Sequence, residues 1–436
     1  MVDTARPTLG IDFGTTNSVM ALATSETDGE MIRFAAPSGA SSVFRSALCF
    51  WQEEGVRGGL AHEAGPWAIE EFLEFPQGSR FIQSFKSVAA NPAFETAGIF
   101  EKRYRFEDMG KVFLDHLLAH AGDALRDLPE RVVVGRPVRY VGARADARLA
   151  RTRYDAMFAS IGREVHYVYE PVGAAFSFAS RLSEPATLMV ADFGGGTSDF
   201  SIVRVEAPGA AQRCTPLAAA GIGLAGDRFD YRIMDNLVLP QLGKGGTYRS
   251  FDKVLEIPPG HFTDFADWSR LAMMRNKRTL EQLGKLQQSA TDPASIARMI
   301  AVIENELGFG LYEAVGALKR ALSGEEHAAL DFESDDLHIH AEVTRAEFES
   351  WIAPDLARIG ETVDEALARA DLAPEQIDHV FLTGGSSLIP AVRRLFAQRF
   401  GEARLASGDE LTSIAHGLAM IGQSGDLAQW AARDEV

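Results

Sequence analysis

Cysteine is almost absent from this 436-residue sequence, and its scarcity argues against disulfide bonds and cysteine-bound metal ions. The two cysteines, Cys49 and Cys214, lie far apart and show no CxxC spacing. A disulfide framework and a zinc site are therefore not expected. Because free thiols persist in a reducing compartment, we expect a cytoplasmic protein.

Long apolar runs and an excess of positive charge are also missing. No stretch of about 18 apolar residues occurs, so no transmembrane helix is expected. The first residues show no basic segment followed by an apolar one, so no signal peptide is expected. The chain carries 43 Lys and Arg against 61 Asp and Glu, a net charge of −18. Because nucleic acids and anionic lipids attract basic surfaces, neither nucleic acid nor membrane is an expected partner.

A Walker-type phosphate loop, GxxxxGK[ST], is absent as well, but another glycine-and-acid turn occurs twice. Residues Ile11–Ser18 read IDFGTTNS, and residues Ala191–Asp199 read ADFGGGTSD. Each copy follows one apolar run and precedes another, as in a strand–turn–strand hairpin. Glycine lets backbone N–H groups approach phosphate oxygens closely. The two copies therefore predict two related half-domains that hold a polyphosphate between them.

Each hairpin places an acid at the end of a strand, followed by small residues. Asp12 and Asp192 are positioned to reach water bound to Mg²⁺, an ion that prefers oxygen ligands and keeps several waters. Thr15, Thr16 and Thr197 can donate hydroxyl hydrogen bonds to phosphate. For a single copy of the turn, the alternative is a tight hairpin with a solvated aspartate.

Two further glycine turns are present. Gly384-Gly385-Ser386 follows an apolar strand and leads into a helix, which favours an anionic ligand but also makes an ordinary strand-to-helix connection. Gly221–Asp227 reads GIGLAGD and formally resembles a dinucleotide fingerprint. It lacks the strand–turn–helix unit at the chain start and an acidic partner, so we do not interpret it as one.

Strands alternate with helices in both halves of the chain, which indicates α/β layers. We predict a first lobe over residues 1–185 with an insert near 40–115. A second lobe is predicted over residues 186–422 with an insert near 231–345, and residues 423–436 form a short tail.

Local patterns predict some elements of these lobes. Lys111–Leu128 has apolar residues near a 3.6-residue spacing, which predicts an amphipathic helix. Val172–Ala179 is predicted to open a helix after Glu170-Pro171. Gly243–Pro259 is rich in Gly and Pro and is predicted to be a loop, whereas residues 265–322 are predicted to be largely helical.

Six motifs occur in the order found in a known family. They are the two turns above, YEPVGAA at Tyr169–Ala175, LAGDRFD at Leu224–Asp230, NKRTL at Asn276–Leu280 and LTGGSSLIP at Leu382–Pro390. Over about residues 8–422 the chain resembles the ATPase domain of the DnaK-type, seventy-kilodalton heat-shock chaperones, and most of all their stand-alone YegD-type members. The resemblance implies the actin-like ATPase fold, with two lobes built on duplicated ribonuclease-H-like cores, an inserted subdomain in each, and an ATP cleft between them.

The resemblance also implies roles for individual residues. Asp12 and Asp192 would serve the magnesium shell, the latter through water. Lys86 would be the catalytic lysine, Glu170 would position magnesium or water, and Thr197 would hold phosphate beside them. The positions implied to contact the nucleotide are Gly14, Thr15, Thr16, Asn17, Gly194, Gly195, Gly196, Gly226, Lys277, Arg278, Gly384, Gly385, Ser386 and Leu388.

Three of these basic positions have a plainer alternative. The match of Lys86 to the catalytic lysine depends on one short stretch, Ser84–Ser87. The alternative is a solvated surface lysine. Lys277 and Arg278 match positions that hold ribose and adenine, and their alternative is an ordinary basic helix face.

The chain departs from the family pattern near the base and at its end. Met274 stands where the family has a glutamate near the ribose, and Leu388 stands where an arginine stacks on adenine. Ala225 replaces a glycine, and Gly408–His416 matches poorly. Only 14 residues follow Gly422, where the family continues with a linker, a peptide-binding β-sandwich and a helical lid. Client binding in the usual groove is therefore not expected of this chain.

The functional prediction is a chaperone-like ATPase that binds ATP or ADP with magnesium, turns over slowly, and meets protein clients or co-chaperones in trans. The main alternative is a nucleotide-dependent interaction module with little turnover, because the peptide-binding domain is missing. An actin-like filament protein and a sugar kinase share the superfamily. The motif spellings are chaperone-like, however, and nothing in the sequence indicates a sugar pocket.

Overall fold

Strands and helices alternate along the chain in the computed structural model, which confirms the predicted α/β class. The described residues are 6–37, 39–56, 59–76, 78–140, 144–179, 182–206, 214–266, 271, 274–334, 337–406, 412–425 and 427–430. Residues 408–411 of the poorly matched stretch, and residues 426 and 431–436 of the predicted tail, lie outside them.

The strands, numbered in chain order, are β1 Thr8–Phe13, β2 Asn17–Ala23, β3 Gly29–Met31, β4 Phe34–Ala36, β5 Gly39–Ser41, β6 Phe44–Arg45, β7 Ala47–Gln52, β8 Leu60–Ala64, β9 Ser79–Gln83, β10 Ala97–Ile99, β11 Lys102–Tyr104, β12 Arg131–Arg136, β13 Glu164–Tyr169, β14 Ala186–Phe193, β15 Ser198–Val205, β16 Cys214–Ile222, β17 Thr247–Ser250, β18 Lys253–Glu256, β19 His327–Ser334, β20 Leu337–Thr344, β21 His379–Thr383 and β22 Leu405–Ala406.

The α-helices, numbered in the same way, are α1 Gly65–Glu74, α2 Phe106–His120, α3 Ala147–Phe158, α4 Glu170–Ala179, α5 Gly226–Ile233, α6 Lys277–Ser289, α7 Pro293–Glu304, α8 Gly308–Gly324, α9 Arg345–Ala370, α10 Pro390–Phe400, α11 Ser413–Ile421 and α12 Leu427–Trp430. Short 3₁₀ helices include Phe85–Val88 and Gly385–Leu388, and a π-helical turn, Met234–Val238, continues α5. Among the helices of the described segments, none combines the length and the apolar composition that crossing a bilayer requires.

The chain divides into a larger unit, Met1–Gly226 with Ala357–Val436, and a smaller unit, Asp227–Leu356. This division differs from the predicted lobes, whose boundaries stay a prediction.

Two sheets of the larger unit share one strand order. In the first sheet, β3, β2 and β1 form an antiparallel meander, and β12 and β13 follow β1 in parallel. In the second sheet, β16, β15 and β14 form the meander, and β21 and β22 follow β14 in parallel. The β1–β2 and β14–β15 turns, which carry the repeated motif, therefore occupy equivalent positions in their sheets.

Helices α4 and α11 connect the cores of these two sheets. Helix α11 packs on β1 and β2, α4 packs on β14 and β15, and the two helices pack on each other. Their closest approach requires glycine, because a Cβ on Gly417 would lie 1.7 Å from the carbonyl oxygen of Gly173. A Cβ on Gly10 of β1 would similarly lie 2.3 Å from the carbonyl oxygen of Ala415. The apolar core thus continues from one sheet to the other through two helices in backbone contact.

A second core of the larger unit is rich in aromatic side chains. Phe13 at the end of β1 packs against Phe85, Phe113 and Tyr154, with ring centroids 5.5, 5.4 and 6.1 Å away. These rings come from the 3₁₀ helix at Phe85–Val88, from α2 and from α3. The core therefore fixes the insert, which also contains the β8-β7-β9 sheet, to the first hairpin.

Several local predictions differ from the structure. Helix α2 spans Phe106–His120 rather than Lys111–Leu128, because the Asp108 carboxylate accepts a hydrogen bond from the Arg105 amide at the N-terminus. Helix α4 begins at Glu170 rather than at Val172, so it includes Pro171 in its first turn. Proline is tolerated there because the backbone N–H groups of the first turn have no partner within the helix.

The smaller unit contains two hairpins that the sequence analysis did not predict. Gly243–Pro259, predicted as a loop, contains the β17–β18 hairpin. Phe251 in its turn has φ of +52°, a conformation more typical of glycine, so the turn gave no sequence signal. The β19–β20 hairpin follows α8, and helices α6, α7 and α8 occupy the region predicted to be helical.

Replacing Gly417 with alanine tests the helix contact. We expect Gly417→Ala to lower the free energy of unfolding by about 1–3 kcal/mol, because the added methyl group forces α11 away from α4. Gly98→Ala is the matched control in the same unit, since a Cβ there meets nothing within 4 Å. Urea unfolding of both variants measures the difference, and an equal effect of the two substitutions would contradict the proposed close contact.

Candidate functional site

The first glycine turn joins β1 to β2 and is held by Ser46, which lies between β6 and β7. Asp12 pairs with Val19, and Phe13 pairs with Ser18, across the hairpin. A Cβ on Gly14 would lie 2.1 Å from the Asn17 carbonyl oxygen, so the turn requires glycine at that position. The Ser46 hydroxyl donates to the Gly14 carbonyl at 2.7 Å and the Ser46 amide donates to the Thr16 carbonyl at 2.9 Å. The turn between Asp12 and Asn17 is thus pinned at both ends.

The second glycine turn joins β14 to β15 in the same register. Asp192 pairs with Asp199, and Phe193 pairs with Ser198. The Gly194 amide donates to the Thr197 carbonyl at 2.9 Å, and the Gly226 amide donates to the Gly194 carbonyl at 3.3 Å.

The residues of this second turn are accessible to a ligand. Gly194 is exposed, and Gly195, Gly196 and Thr197 are partly exposed. The predicted phosphate-contacting residues of this turn therefore lie together at the surface of the hairpin.

The third glycine turn touches the second one. Strand β21 pairs with β14, so Thr383 lies opposite Asp192. Gly384 has φ of +82°, and a Cβ there would lie 2.1 Å from the Phe193 carbonyl oxygen. Ser386 is buried, whereas Leu388 is 57% exposed. The structure therefore places Gly384-Gly385-Ser386 against the second hairpin, and Gly226 is bonded to that hairpin as well.

Lys86 is buried by the aromatic core and is not a solvated surface lysine. Phe85 packs between Phe13 and Phe113, and the 3₁₀ helix that follows turns the lysine inward. The Lys86 ammonium lies 2.6 Å from Glu170 Oε1, and the two side chains are 8% and 6% exposed. The ammonium also lies 5.8 Å from the centroid of the Phe13 ring. The alternative prediction, that Lys86 is a solvated surface lysine, is therefore wrong.

Glu170 is the first residue of α4, directly after β13. The positive end of the helix dipole favours a carboxylate at this position. A Cβ on Gly135 of the neighbouring strand would lie 3.0 Å from Glu170 Cγ, so the small residue makes room for the glutamate. The end of β13, the start of α4 and the small Gly135 together direct the Glu170 side chain toward Lys86.

Five charged groups form one electrostatic cluster, hereafter the charge cluster: Asp12, Lys86, Glu170, Asp192 and Asp199. Burial raises the pKa of Asp12 from 3.8 to about 7; the Glu170 carboxylate adds to the shift and the Lys86 ammonium opposes it. Burial also holds the pKa of Asp192 well above its usual value, with Glu170, Asp12 and Asp199 adding to the effect. Burial alone would lower the pKa of Lys86, but Glu170 and Asp12 raise it.

Asp199 belongs to this cluster although the sequence analysis assigned it no role. Its side chain is completely buried, and its Oδ1 accepts from the amides of Val138 at 3.0 Å and Arg139 at 3.2 Å. Burial raises its pKa to about 7, Glu170 adds to the shift, and a hydrogen bond from Thr197 opposes it. The signal was available, since residues opposite each other in an antiparallel pair face the same side of the sheet.

The charge cluster has the composition of a magnesium site. Its four carboxylates outnumber its one ammonium. Burial, and after it repulsion by Glu170, raises the pKa of Asp12, Asp192 and Asp199, so a bound cation would favour their ionised form. Mg²⁺ prefers oxygen ligands and supplies two positive charges. Asp12, Asp192 and Asp199 thus fit the requirements of a magnesium ion bound through oxygen or water.

Lys277 and Arg278 lie in the smaller unit, at the start of α6. The Asn276 side chain caps this helix by accepting from the Thr279 amide at 3.0 Å. The Lys277 side chain is 91% exposed, and its ammonium lies 4.0 Å from Glu281. Their predicted contacts with ribose and adenine stay a prediction.

Comparison with known proteins gives two findings. A family model described as Hsp70 protein matches residues 304–427, which include the Gly384-Gly385-Ser386 turn and α11. Chaperone protein DnaK from each of two strains of Thermus thermophilus is 24% identical to this chain in an alignment of 424 residues that covers 93% of the chain. The chain spans 59% of the length of these curated relatives.

The raised pKa of Asp199 predicts a pH-dependent stability that a single substitution removes. The folded protein keeps this proton up to about pH 7, whereas the unfolded chain loses it near pH 3.9. The contribution of this proton to the free energy of unfolding is therefore fully present below about pH 4. It is lost as the pH rises through 7, by at most about 1.4 kcal/mol per pH unit.

Asn cannot ionise, so Asp199→Asn should become progressively more stable than the wild type between about pH 5 and pH 7. Urea unfolding at several pH values, in buffer with chelator and without nucleotide, measures this difference. A difference between the two proteins that does not change with pH would contradict the assigned shift.

Proposed function

We propose that this chain, which belongs to the DnaK-type Hsp70 family with its actin-like ATPase fold, binds ATP with magnesium at the charge cluster and hydrolyses it slowly. The observation that carries the proposal is the convergence of one buried lysine, four carboxylates and two glycine turns within the larger unit. A structural ion pair would not need three additional carboxylates of raised pKa. A divalent cation would compensate the carboxylates, and an anionic phosphate chain would compensate the lysine.

In this proposal each group of residues has a separate task. The turn Gly14-Thr15-Thr16-Asn17 and the turn Gly194–Thr197 donate hydrogen bonds to phosphate oxygens. Asp12, Asp192 and Asp199 hold magnesium, which when bound neutralises phosphate charge and orders water. Lys86 stabilises negative charge on the terminal phosphate, and Glu170 holds the Lys86 ammonium in place. Positioning and charge neutralisation of this kind account for most of the catalysis of phosphoryl transfer.

We expect the base to be held less tightly than the phosphates. Leu388 is 57% exposed and can pack on a purine, but it cannot add a cation–π contribution. The chain therefore holds the nucleotide mainly through its phosphates, and its preference among purine bases should be small.

The proposed function includes protein partners and a cytoplasmic location. The relatives are named chaperones, and the chain spans 59% of their length. We therefore propose contacts with protein clients or co-chaperones in trans. The low cysteine content supports the cytoplasm as the compartment.

Steady-state phosphate release from Mg–ATP tests the activity. The wild type should release phosphate, and both Asp192→Asn and Lys86→Ala should reduce the rate by about 100-fold. The first substitution removes a proposed ligand of magnesium, and the second removes the ammonium that compensates negative charge in the transition state. Lys111→Ala is the matched control, since that lysine is 56% exposed and its ion pair with Asp115 contributes little. Circular dichroism should show all four proteins folded.

The outcomes separate the candidate functions. Unchanged rates in Asp192→Asn and Lys86→Ala would refute the assigned site. A wild type that binds ATP but releases no phosphate would instead support the nucleotide-dependent interaction module.

A further inference from the structure

A cluster of histidines and one glutamate lies in the insert of the larger unit, outside the residues that the proposed function uses. Glu63 lies on β8, and His116 and His120 lie on α2. The two histidines are four residues apart, so they project from one face of the helix. That face meets β8, which brings Glu63 between the two rings.

The three side chains converge at one point. Glu63 Oε1 lies 2.8 Å from His116 Nδ1 and 3.0 Å from His120 Nε2. The potential ligand atoms of all three residues lie within 4.8 Å of one another. Ligands about 2.0–2.2 Å from a tetrahedral zinc ion are themselves about 3.3 Å apart. Small side-chain adjustments therefore suffice to place an ion between these atoms.

The surroundings orient the rings as a metal site requires. His62 Nδ1 lies 2.8 Å from His116 Nε2, within hydrogen-bond distance. This contact holds the outer nitrogen of the His116 ring, so His116 Nδ1 is directed toward Glu63. Such outer partners fix the ring and tautomer of metal-binding histidines.

An aromatic neighbour fixes the second histidine. The Trp67 ring stacks on His120 with centroids 3.5 Å apart and an interplanar angle of 9°. The side chains of Glu63, His116 and His120 are only 22%, 19% and 22% exposed. The cluster is therefore a half-buried, ordered set of donors rather than a surface accumulation of charge.

We propose that Glu63, His116 and His120 bind one divalent transition-metal ion of the zinc class, with the remaining coordination position open to water. Two imidazoles and one carboxylate are a donor set that suits zinc, cobalt and nickel better than magnesium. The ion takes the place of the hydrogen bonds that now join Glu63 to the two rings. The sequence analysis expected no zinc site because it considered cysteine spacing, and this site uses no cysteine.

A second His/Asp group provides an internal control. Asp331, His338 and His340 also offer three ligand atoms within 4.8 Å, on the β19–β20 hairpin. Their side chains are 66%, 60% and 48% exposed, and exposed donors lose more side-chain freedom and hydration on binding. We expect the ion at the Glu63 site to bind the more tightly of the two.

Cobalt titration of the untagged, chelator-dialysed chain tests this inference. The wild type should bind one Co²⁺ per chain tightly and show the visible absorption of a four- or five-coordinate ion. The double variant His116→Gln/His120→Gln should weaken binding at least 100-fold, because it removes two of three protein ligands. His338→Gln/His340→Gln should leave the tight site unchanged. Absence of tight binding, or its loss only in the hairpin variant, would overturn the proposal.

Anomalous scattering from zinc-soaked crystals of the wild type locates the ion without any substitution that affects folding. A peak among Glu63, His116 and His120 supports the site. Zinc only at the β19–β20 hairpin, or no zinc at either place, refutes it. Neither measurement uses ATP, so failure here leaves the proposed ATPase activity to its own test.

Discussion

The ion pair between Lys86 and Glu170 is the interaction on which the candidate site depends. Both side chains are almost fully buried, and their charged atoms are 2.6 Å apart. Removing one partner of such a pair typically costs about 3–5 kcal/mol, because the other charge is left uncompensated in a poorly solvated place. Here the pair also sets the electrostatics of its neighbours, since Glu170 raises the pKa of Asp12, Asp192 and Asp199 while Lys86 opposes the shift.

The scaffold determines where this pair can form. Glu170 begins α4, and three residues later Gly173 is in backbone contact with Gly417 of α11. Lys86 follows Phe85, which is anchored on Phe13 at the end of β1. The same packing that connects the two sheets therefore sets the distance between the groups of the charge cluster. A change in the core is therefore expected to reach the site through Lys86 and Glu170.

Sequence patterns predicted the parts of the site that rest on local structure. Asp12 and Asp192 follow from the repeated strand–turn–strand motif, because an acid before a glycine turn has a defined place. Asp199 follows from that motif only when the pairing register of the hairpin is added, because the register places it opposite Asp192. The Glu63 cluster illustrates the same limit, since His116 and His120 show helical spacing in the sequence but Glu63 approaches them only through tertiary packing. The β17–β18 hairpin was missed because its turn uses Phe251 where glycine is usual.

Isothermal titration calorimetry of ATP binding, with magnesium and with chelator, tests the central claim most directly. The under-compensated carboxylates of the charge cluster repel a free triphosphate, whereas magnesium bridges the two negative partners. The account predicts that magnesium strengthens ATP binding by at least about tenfold in the wild type, equivalent to about 1.4 kcal/mol. Asp12→Asn/Asp199→Asn should lose most of this magnesium dependence. Equal affinity with and without magnesium, or no binding at high protein concentration, would contradict the account.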